Sequence, residues 1–153
     1  MRLHSPYAEG MSVKRIVTAS RIIDAAPEAI FNLLADARRH ASFDGSGAVV
    51  KIRQAPDRLY LGATFAMDMK DGVGYFTRNK VVAFEENRAI AWHHWAQFVW
   101  RYDLEAVAGG TRVTESFDYS KMWGVLIIPL GWPERNRLAM EATLRRLEAL
   151  VTA

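Results

Sequence analysis

The chain has 153 residues, of which 50% are hydrophobic and 24% charged, a composition typical of one globular domain rather than of a disordered chain. The absence of cysteine excludes disulfides, thiolate metal sites and a cysteine nucleophile, and it fits a reducing compartment. The formal net charge is only +3, and the Lys and Arg residues are scattered rather than clustered as in nucleic-acid-binding proteins. We therefore expect a cytoplasmic protein that does not bind nucleic acid.

Residues 1–12 are polar and lack periodicity, and we interpret them as a flexible N-terminal tail. They also lack the apolar core of a signal peptide. No stretch of the chain approaches the roughly 18 apolar residues of a membrane span, so stable membrane insertion is not expected. Residues 13–153 contain no repeat or linker and are interpreted as a single domain. The first strand of this domain is predicted over residues 14–23, which are rich in Val, Ile, Thr and Ser.

Two short helices are predicted after the first strand. The first covers residues 27–35, because Pro27 suits the first turn of a helix and the apolar residues, Phe31 among them, share one face. The second covers residues 36–43 and ends at the turn-forming residues 44–47.

The middle of the chain consists of short segments, rich in strand-forming residues and separated by turn signals, which predicts six further strands. These strands are expected over residues 48–53, 64–70, 74–84, 89–95, 98–107 and 111–120. The clearest alternation places Trp100 and Tyr102 on one face and Arg101 and Asp103 on the other. A half-buried antiparallel sheet follows from this pattern.

The chain ends in an apolar connector and a long helix. Residues 122–132 contain two glycines and a proline and are too broken for a long helix. This connector could be a lid, an interface or a cap on the core, and we favour the cap. Residues 133–151 predict an amphipathic helix whose apolar stripe includes Met140 and Leu144. The order of elements predicts an α+β fold in which a curved sheet wraps around this helix and encloses an internal space.

The sequence resembles the SRPBCC superfamily of START-like, helix-grip proteins, and within it the bacterial polyketide cyclase/dehydrase family. The segments that carry the resemblance are RIIDAAPEAIFNLLAD (21–36), RNKVVAFEENRAIAW (78–92), WRYDLEAVAGGTRVTESFDYS (100–120) and PLGWPERNRLAMEATLRRLEAL (129–150). The resemblance implies a curved, seven-stranded antiparallel sheet around the C-terminal helix, with an apolar cavity between them. These segments are typical of the fold rather than of one activity.

Bulky residues on the predicted inward faces suggest the wall of a ligand-binding cavity. Aromatic and sulfur-containing side chains would suit a planar, hydrophobic or acyl-chain ligand. The alternative is that these residues simply fill a core. The candidate ligand-binding residues are Phe31, Phe65, Met67, Met69, Asn79, Trp92, Trp100, Phe117, Tyr119, Trp123, Met140 and Leu144.

Three residues are candidates for acid–base catalysis. His94 shares strand parity with Trp92, and an imidazole with an ordinary pKa near 6.5 suits a general base. The alternative for His94 is a structural role near a strand end. Glu115 shares a face with Phe117, so burial would raise its pKa and suit an acid or ligand anchor, unless a β-bulge turns it outward. Tyr102 is the candidate oxyanion donor.

No cofactor or metal is expected. His93 and His94 are neighbours on a strand and point to opposite faces, so they cannot bind one metal together. The sequence contains no nucleophile elbow, zinc-protease motif, phosphate loop or dinucleotide fingerprint.

Three functions remain open at this stage. The first is binding of a small hydrophobic molecule, aromatic, polyketide-like or lipid-like, by a carrier or sensor. The second is a cyclase or dehydratase that acts on such a molecule by acid–base catalysis, and the third is a protein or membrane interaction module. A cavity with several polar groups favours the enzyme, a smooth apolar cavity favours the carrier, and a filled core favours the module. A homodimer is also left open.

Overall fold

An antiparallel sheet of seven strands forms most of the fold. The computed structural model describes residues 14–121 and 123–153, so the tail predicted for residues 1–12 lies outside the described residues. The strands are β1 (Ile16–Ile23), β2 (Val49–Gln54), β3 (Thr64–Asp71), β4 (Val73–Glu85), β5 (Ala89–His93), β6 (Val99–Val107) and β7 (Gly110–Asp118). They are ordered β1-β7-β6-β5-β4-β3-β2, and each neighbouring pair is antiparallel. The predicted sheet is confirmed, with strand ends within two residues of the expected positions.

The helices after β1 and at the end of the chain occupy the positions expected from the sequence, and one further short helix lies in the connector. They are α1 (Pro27–Leu34), α2 (His40–Phe43), α3 (Gly124–Ile127) and α4 (Trp132–Val151), and a short 3₁₀ helix (Ala37–Arg39) precedes α2. The second helix was predicted as one element over residues 36–43. It is divided because the Asp36 carboxylate accepts a hydrogen bond from the Arg38 backbone N–H at 3.0 Å and starts a tight 3₁₀ turn.

The sheet wraps around α4. Met140, Thr143, Leu144 and Leu147 are the buried residues of this helix, and they face the core between helix and sheet. Register shifts interrupt the pairing of β2 with β3 and of β4 with β5. Such β-bulges bend and twist a strand, which helps the sheet to curve around a single helix. The predicted α+β helix-grip fold is therefore confirmed.

The pairing of β6 with β7 decides which way Glu115 points. Its register runs without interruption from Asp118 opposite Val99 to Gly110 opposite Val107. Glu115 therefore keeps the same face as Val113 and Phe117, and its side chain is buried. The bulge that would have turned Glu115 outward does not occur in this pairing.

The connector after β7 contacts the core through few of its side chains. Ile127 is buried in the core cluster, and Gly124 lies so close to the Tyr119 carbonyl that it leaves no space for a Cβ. Trp123, predicted to bind ligand, is instead 55% exposed. Trp123 therefore lies outside the lining of the cavity, because the single turn of α3 directs Ile127 inward and Trp123 outward, a direction that an aperiodic apolar sequence does not reveal.

No helix in the described ranges, residues 14–121 and 123–153, is long and apolar enough to cross a membrane.

Candidate ligand cavity

A cavity of about 620 Å³ lies between the sheet and the first half of α4. Its deep lining comes from inward-facing residues of β3 to β7 and from α2 and α4. The buried lining residues are His40, Phe43, Met67, Thr77, Asn79, Trp92, Phe98, Tyr102, Glu115, Phe117, Met140 and Thr143. The space that the sequence predicts between sheet and helix is therefore present.

Aromatic rings form one wall of this cavity. Trp92 on β5 is opposite Trp100 on β6, and Trp100 is opposite Phe117 on β7. The ring centroids of Trp100 and Phe117 are 4.5 Å apart, and those of Trp92 and Tyr102 are 5.7 Å apart. Adjacent rings at these distances hold one another in place and offer a broad apolar surface.

The polar centre of the cavity is a pair of opposite residues on neighbouring strands. The Tyr102 hydroxyl donates a hydrogen bond of 2.8 Å to Glu115 Oε1. Glu115 Oε2 is also buried but has no hydrogen-bond partner among the described residues. Burial raises the pKa of Glu115 to about 8; the Tyr102 hydrogen bond opposes this rise, and the negative charge of Asp44 adds to it. Glu115 is therefore mostly a neutral carboxylic acid at pH 7.

Tyr102 keeps its proton in this pair. Burial raises its pKa well above 10, and the nearby Glu115 carboxyl raises it further. The Tyr102 hydroxyl already donates its hydrogen bond to Glu115 Oε1. Tyr102 therefore orients Glu115 and is not free to donate to an oxyanion.

A second polar pair lies on β4. The Asn79 side-chain amide donates a hydrogen bond of 3.3 Å to the Thr77 hydroxyl, and both residues are buried and line the cavity. The sequence left the direction of Asn79 ambiguous, and the structure places it inward, opposite Phe65.

His94 lines the cavity from the turn that follows β5. Its Nδ1 accepts a hydrogen bond of 3.2 Å from the Ala96 backbone N–H, so the ring proton of the neutral imidazole is on Nε2. Partial burial lowers its pKa, and the neighbouring His93 lowers it further. A neutral imidazole with Nδ1 occupied is a hydrogen-bond donor at Nε2 and is poorly placed to act as the general base that the sequence suggested.

His40 is a cavity residue that sequence reasoning missed. Its Nε2 donates a hydrogen bond of 2.9 Å to the Leu34 carbonyl, and its ring stacks on Trp92 with a centroid distance of 4.9 Å. Burial lowers the pKa of His40, and the hydrogen bond to Leu34 only partly offsets this effect. The sequence placed His40 in a short helix, but the stack on Trp92 depends on a distant strand.

Replacing His40 with alanine is expected to lower the free energy of unfolding by about 2 kcal/mol, because the Leu34 hydrogen bond and the Trp92 stack are both lost. The unfolded chain binds a proton at His40 near pH 6.5, whereas the folded chain resists it, so the stability advantage of wild type over His40→Ala should shrink as the pH drops below about 6.5. Urea unfolding at pH 7.5 and 5.5 measures both effects. A stability difference between His40→Ala and wild type that is the same at both pH values would contradict this role of His40.

The mouth of the cavity lies where the β3–β4 hairpin meets the start of α4. Lining residues from both elements are exposed there, including Tyr75 on β4 and Trp132 on α4. An ion pair between Arg135 and Asp71 joins the two elements. Both partners are about half exposed, so this pair contributes little to stability.

Most of the residues predicted from the sequence are brought together in this cavity. Those among the lining residues are Met67, Met69, Asn79, Trp92, Trp100, Phe117 and Met140, together with His94, Tyr102 and Glu115. Missed lining residues include Thr77, which has the same strand parity as Asn79 and could have been found from it.

Four predicted ligand-binding residues lie outside the lining, in addition to Trp123. Phe31 packs edge-on against Phe84, with ring centroids 5.3 Å apart, and belongs to the core beneath α1. Phe65 supports His40 and Trp92 from behind, Tyr119 stacks on the Phe117 ring, and Leu144 is buried in the core on α4. The sequence patterns therefore identified residues that pack in or against the core. Whether each of them also lines the cavity could be seen only in the structure.

Among the described residues, no group of three or more His, Asp or Glu side chains is arranged to hold a metal ion.

Curated relatives of the chain come from Mycobacterium tuberculosis. The protein Rv0088, described as uncharacterized, is 35% identical over 131 residues, which cover 80% of this chain and 58% of Rv0088. The protein MT0096, also described as uncharacterized, is 34% identical over the same shares. The chain thus spans 58% of the length of these relatives.

Solved structures share the fold at low sequence identity. A protein from Rhodobacter sphaeroides has a TM-score of 0.71 and 14% identity, covering 95% of each chain. Ms6760 from Mycobacterium smegmatis has a TM-score of 0.68 and 18% identity over 90% of each chain. The di-domain ARO/CYC protein BexL from the BE-7585A biosynthetic pathway has a TM-score of 0.71 and 16% identity, covering 94% of this chain and 52% of BexL.

The family comparison covers nearly all of the described chain. A family model described as "Polyketide cyclase / dehydrase and lipid transport" matches residues 14–152. This range includes all seven strands, all four α-helices and every residue that lines the cavity. The chain therefore belongs to the polyketide cyclase/dehydrase and lipid transport family.

Proposed function

We propose that this chain binds a small hydrophobic molecule in the cavity between the sheet and α4, as a carrier or sensor. The observation that carries the proposal is the cavity itself, whose volume of about 620 Å³ falls within the roughly 300–1,000 Å³ of small-molecule sites. The rings of Trp92, Trp100 and Phe117 form a wall for apolar or planar ligands. The space between the sheet and α4 is not the filled core that would favour a pure interaction module.

Apolar burial supplies the affinity in this proposal. A ligand that buries about 200 Å² of apolar surface gains roughly 5 kcal/mol before the costs of association are subtracted. The family description joins cyclase and dehydrase activity with lipid transport, and the ligands implied by these activities are largely apolar. The ligand of this chain is accordingly proposed to be aromatic, polyketide-like or lipid-like. The cytoplasmic location and the homodimer stay predictions from the sequence.

A cyclase or dehydratase is the second candidate function, and the polar groups in the cavity favour it. The neutral Glu115 carboxyl could donate its proton to a leaving hydroxyl, which departs as water as its C–O bond breaks. The resulting carboxylate could then take a proton from the neighbouring carbon as the C=C bond forms, which restores the acid. BexL, which shares the fold, is named as an ARO/CYC protein. A retained ligand that changes chemically on incubation with wild type but not with Glu115→Gln would support catalysis over simple binding.

Native mass spectrometry of the protein purified from its own host tests the binding proposal directly. A bound molecule that is released by organic solvent is the expected result, and its mass names the chemical class. A chain that carries no ligand and also fails to bind naphthalene-sized or acyl-chain probes would overturn the proposal.

Replacing Thr77 with phenylalanine is expected to weaken ligand binding at least tenfold, because the larger ring occupies the cavity beside Asn79. The matched control is Thr114→Phe on β7. Thr114 lies on the outer face of the sheet, and its hydroxyl also makes one side-chain hydrogen bond, at 3.2 Å to Ser20. Fluorescence titration with 2-acetylnaphthalene compares the two variants. Equal affinities would show that the probe binds outside the cavity.

A further inference from the structure

The buried carboxyl group of Glu115 has one oxygen satisfied and one oxygen unpaired. Oε1 accepts the Tyr102 hydroxyl at 2.8 Å, whereas Oε2 has no partner among the described residues although the side chain is only 3% exposed. Buried polar atoms are almost always hydrogen-bonded, because an unpaired one loses its bonds to water without replacement. Glu115 lines the cavity, so Oε2 is open to a partner within it, which is water in the free chain or a polar atom of a bound ligand.

The position of the proton on this carboxyl follows from its neighbour. Tyr102 retains its hydroxyl proton and donates it to Oε1, so Oε1 is the acceptor oxygen. When Glu115 is neutral, its own proton is therefore on Oε2, the unpaired oxygen. The group presented to the ligand is an O–H donor rather than a negative charge.

Within the described ranges, eight other ionisable groups line the cavity, and of these Asp44 favours the neutral form of Glu115 whereas the Tyr102 hydrogen bond opposes it. They are His40 on α2, Asp44 after α2, Lys70 and Asp71 on β3, Tyr75 on β4, His94 after β5, Tyr102 on β6 and Arg135 on α4. The cationic side chains in this set, Lys70 and Arg135, are exposed at the mouth, and Arg135 is paired with Asp71. The negative charge of Asp44 further disfavours ionisation of Glu115.

We infer that the cavity selects hydrophobic ligands that carry a neutral hydrogen-bond acceptor, such as a ketone or quinone carbonyl, and that Glu115 binds this acceptor through Oε2–H. The inference rests on the proposed function and names the ligand class for the same cavity. The aromatic wall binds the apolar body of the ligand, and Glu115 sets its orientation. A hydrocarbon of the same shape should bind more weakly, because it leaves Oε2 unpaired. A ligand with an ammonium group should also bind more weakly, because the central carboxyl of the cavity carries no charge to pair with it.

The affinity of an acceptor ligand then depends on pH in a defined direction. Glu115 is protonated below a pH of about 8, so the affinity should be constant there. Above that pH the carboxyl loses the proton that the ligand needs, and the affinity should fall up to about tenfold per pH unit. A cationic ligand that required the carboxylate would show the opposite trend.

Three probes with one carbon skeleton test the ligand class. They are 2-acetylnaphthalene, a ketone; 2-ethylnaphthalene, a hydrocarbon; and 1-(2-naphthyl)ethylamine, a cation at neutral pH. Isothermal titration at pH 6.5 should show the ketone binding about tenfold more tightly than the hydrocarbon and the amine binding most weakly. At pH 9 the advantage of the ketone should be largely lost. This comparison uses the wild-type chain alone and does not depend on the folding of any variant.

Glu115→Gln tests the residue. The glutamine amide keeps an acceptor for Tyr102 and a donor for the ligand, but it does not titrate, so the ketone preference should persist at pH 9. The matched control is Glu105→Gln, which removes an exposed carboxylate on β6 that pairs with Arg112 at 2.9 Å. Its pH profile should match that of the wild type.

The outcomes separate this inference from the proposed function. If all three probes bind equally at pH 6.5, or if the ketone preference is independent of pH in the wild type, the inference is wrong and the cavity still binds hydrophobic molecules. If none of the probes binds, the proposed function fails for ligands of this size, and the inference fails with it.

Discussion

Replacing Gly45 with alanine is expected to lower the free energy of unfolding by about 3 kcal/mol, at the upper end of the cost of overpacking. A Cβ at this position would lie 2.2 Å from the Ala139 carbonyl oxygen and 2.4 Å from the Thr143 backbone nitrogen. Both atoms belong to the backbone of α4, so rotating a side chain cannot relieve the clash. The clash can be relieved only if the segment after α2 moves away from α4.

This contact is also held by hydrogen bonds that the displacement would break. The Gly45 backbone N–H donates to the Thr143 hydroxyl at 2.9 Å, and that hydroxyl donates to the Ala139 carbonyl at 3.0 Å. Arg146 donates to the carbonyl of Asp44 from the next turn of α4. Because Gly45, Ala139 and Thr143 all line the cavity, the substitution should also weaken ligand binding.

Gly74→Ala is the matched control. Gly74 lies in β4, and the nearest atom to a Cβ there is the Met69 carbonyl oxygen at 4.0 Å. Alanine at this exposed strand position should change the free energy of unfolding by less than about 1 kcal/mol, in the stabilising direction. Urea unfolding of wild type, Gly45→Ala and Gly74→Ala makes the comparison. Similar stabilities for the two variants would mean that the close approach of residues 44–46 to α4 is not present in solution.

Gly45 shows where sequence reasoning about this fold ends. The run 44–47 of Asp, Gly, Ser and Gly predicts a turn, and the structure contains one, with the Asp44 carboxylate accepting from the Ser46 and Val49 backbone N–H groups. The reason for a glycine at position 45 lies in α4, 98 residues along the chain from the Thr143 hydroxyl that it contacts. No local pattern contains that information.

The faces of the strands could be predicted because side-chain direction alternates strictly along a strand. From the sequence, this rule places Trp100 and Tyr102 inward, and it gives Glu115 the same face as Phe117 unless a β-bulge intervenes. It did not pair Tyr102 with Glu115, because a pair across a hairpin depends on the position of the turn. The structure pairs Val107 with Gly110, so the turn residues are Ala108 and Gly109.

From the sequence alone, Gly109 and Gly110 are the expected turn residues between the predicted strands 98–107 and 111–120, one residue further along. A turn moved by one residue shifts each cross-strand partner by two, and Tyr102 would then lie opposite Phe117 instead of Glu115. The candidate acid could therefore be predicted, but its hydrogen-bond partner could not. His94 was less predictable still, because β5 ends at His93 and strand parity no longer applies beyond that point.

Replacing Glu115 with glutamine is expected to stabilise the folded chain at alkaline pH by several kcal/mol. The pKa of Glu115 is about 8 in the folded state, against an ordinary value of 4.5. Between these pH values the folded chain holds a proton on Glu115 that the unfolded chain has released. The contribution of Glu115 to the free energy of unfolding must therefore fall as the pH rises through this window, by about 5 kcal/mol in all.

Glutamine does not titrate, and it keeps both the size of the neutral acid and an acceptor for Tyr102. The two proteins should therefore have similar stability near pH 4.5, where Glu115 is protonated in the folded chain and half protonated in the unfolded chain. Glu115→Gln should become progressively more stable than the wild type up to a pH of about 8, and the difference should then stay constant. Contributions from His40 and other groups are common to both proteins and cancel in the difference.

Urea unfolding at pH 4.5, 6, 7.5 and 9 measures this difference, with Glu105→Gln as the control for loss of an exposed carboxylate. Parallel pH profiles for wild type and Glu115→Gln would mean that Glu115 is already ionised in the folded state near neutral pH. A carboxylate could not donate a hydrogen bond from Oε2, so that result would also remove the basis for recognition of a ligand carbonyl. Because unfolding and ligand titration report on the same proton by independent routes, a stability difference that rises up to pH 8 should be matched by a ketone affinity that falls above it.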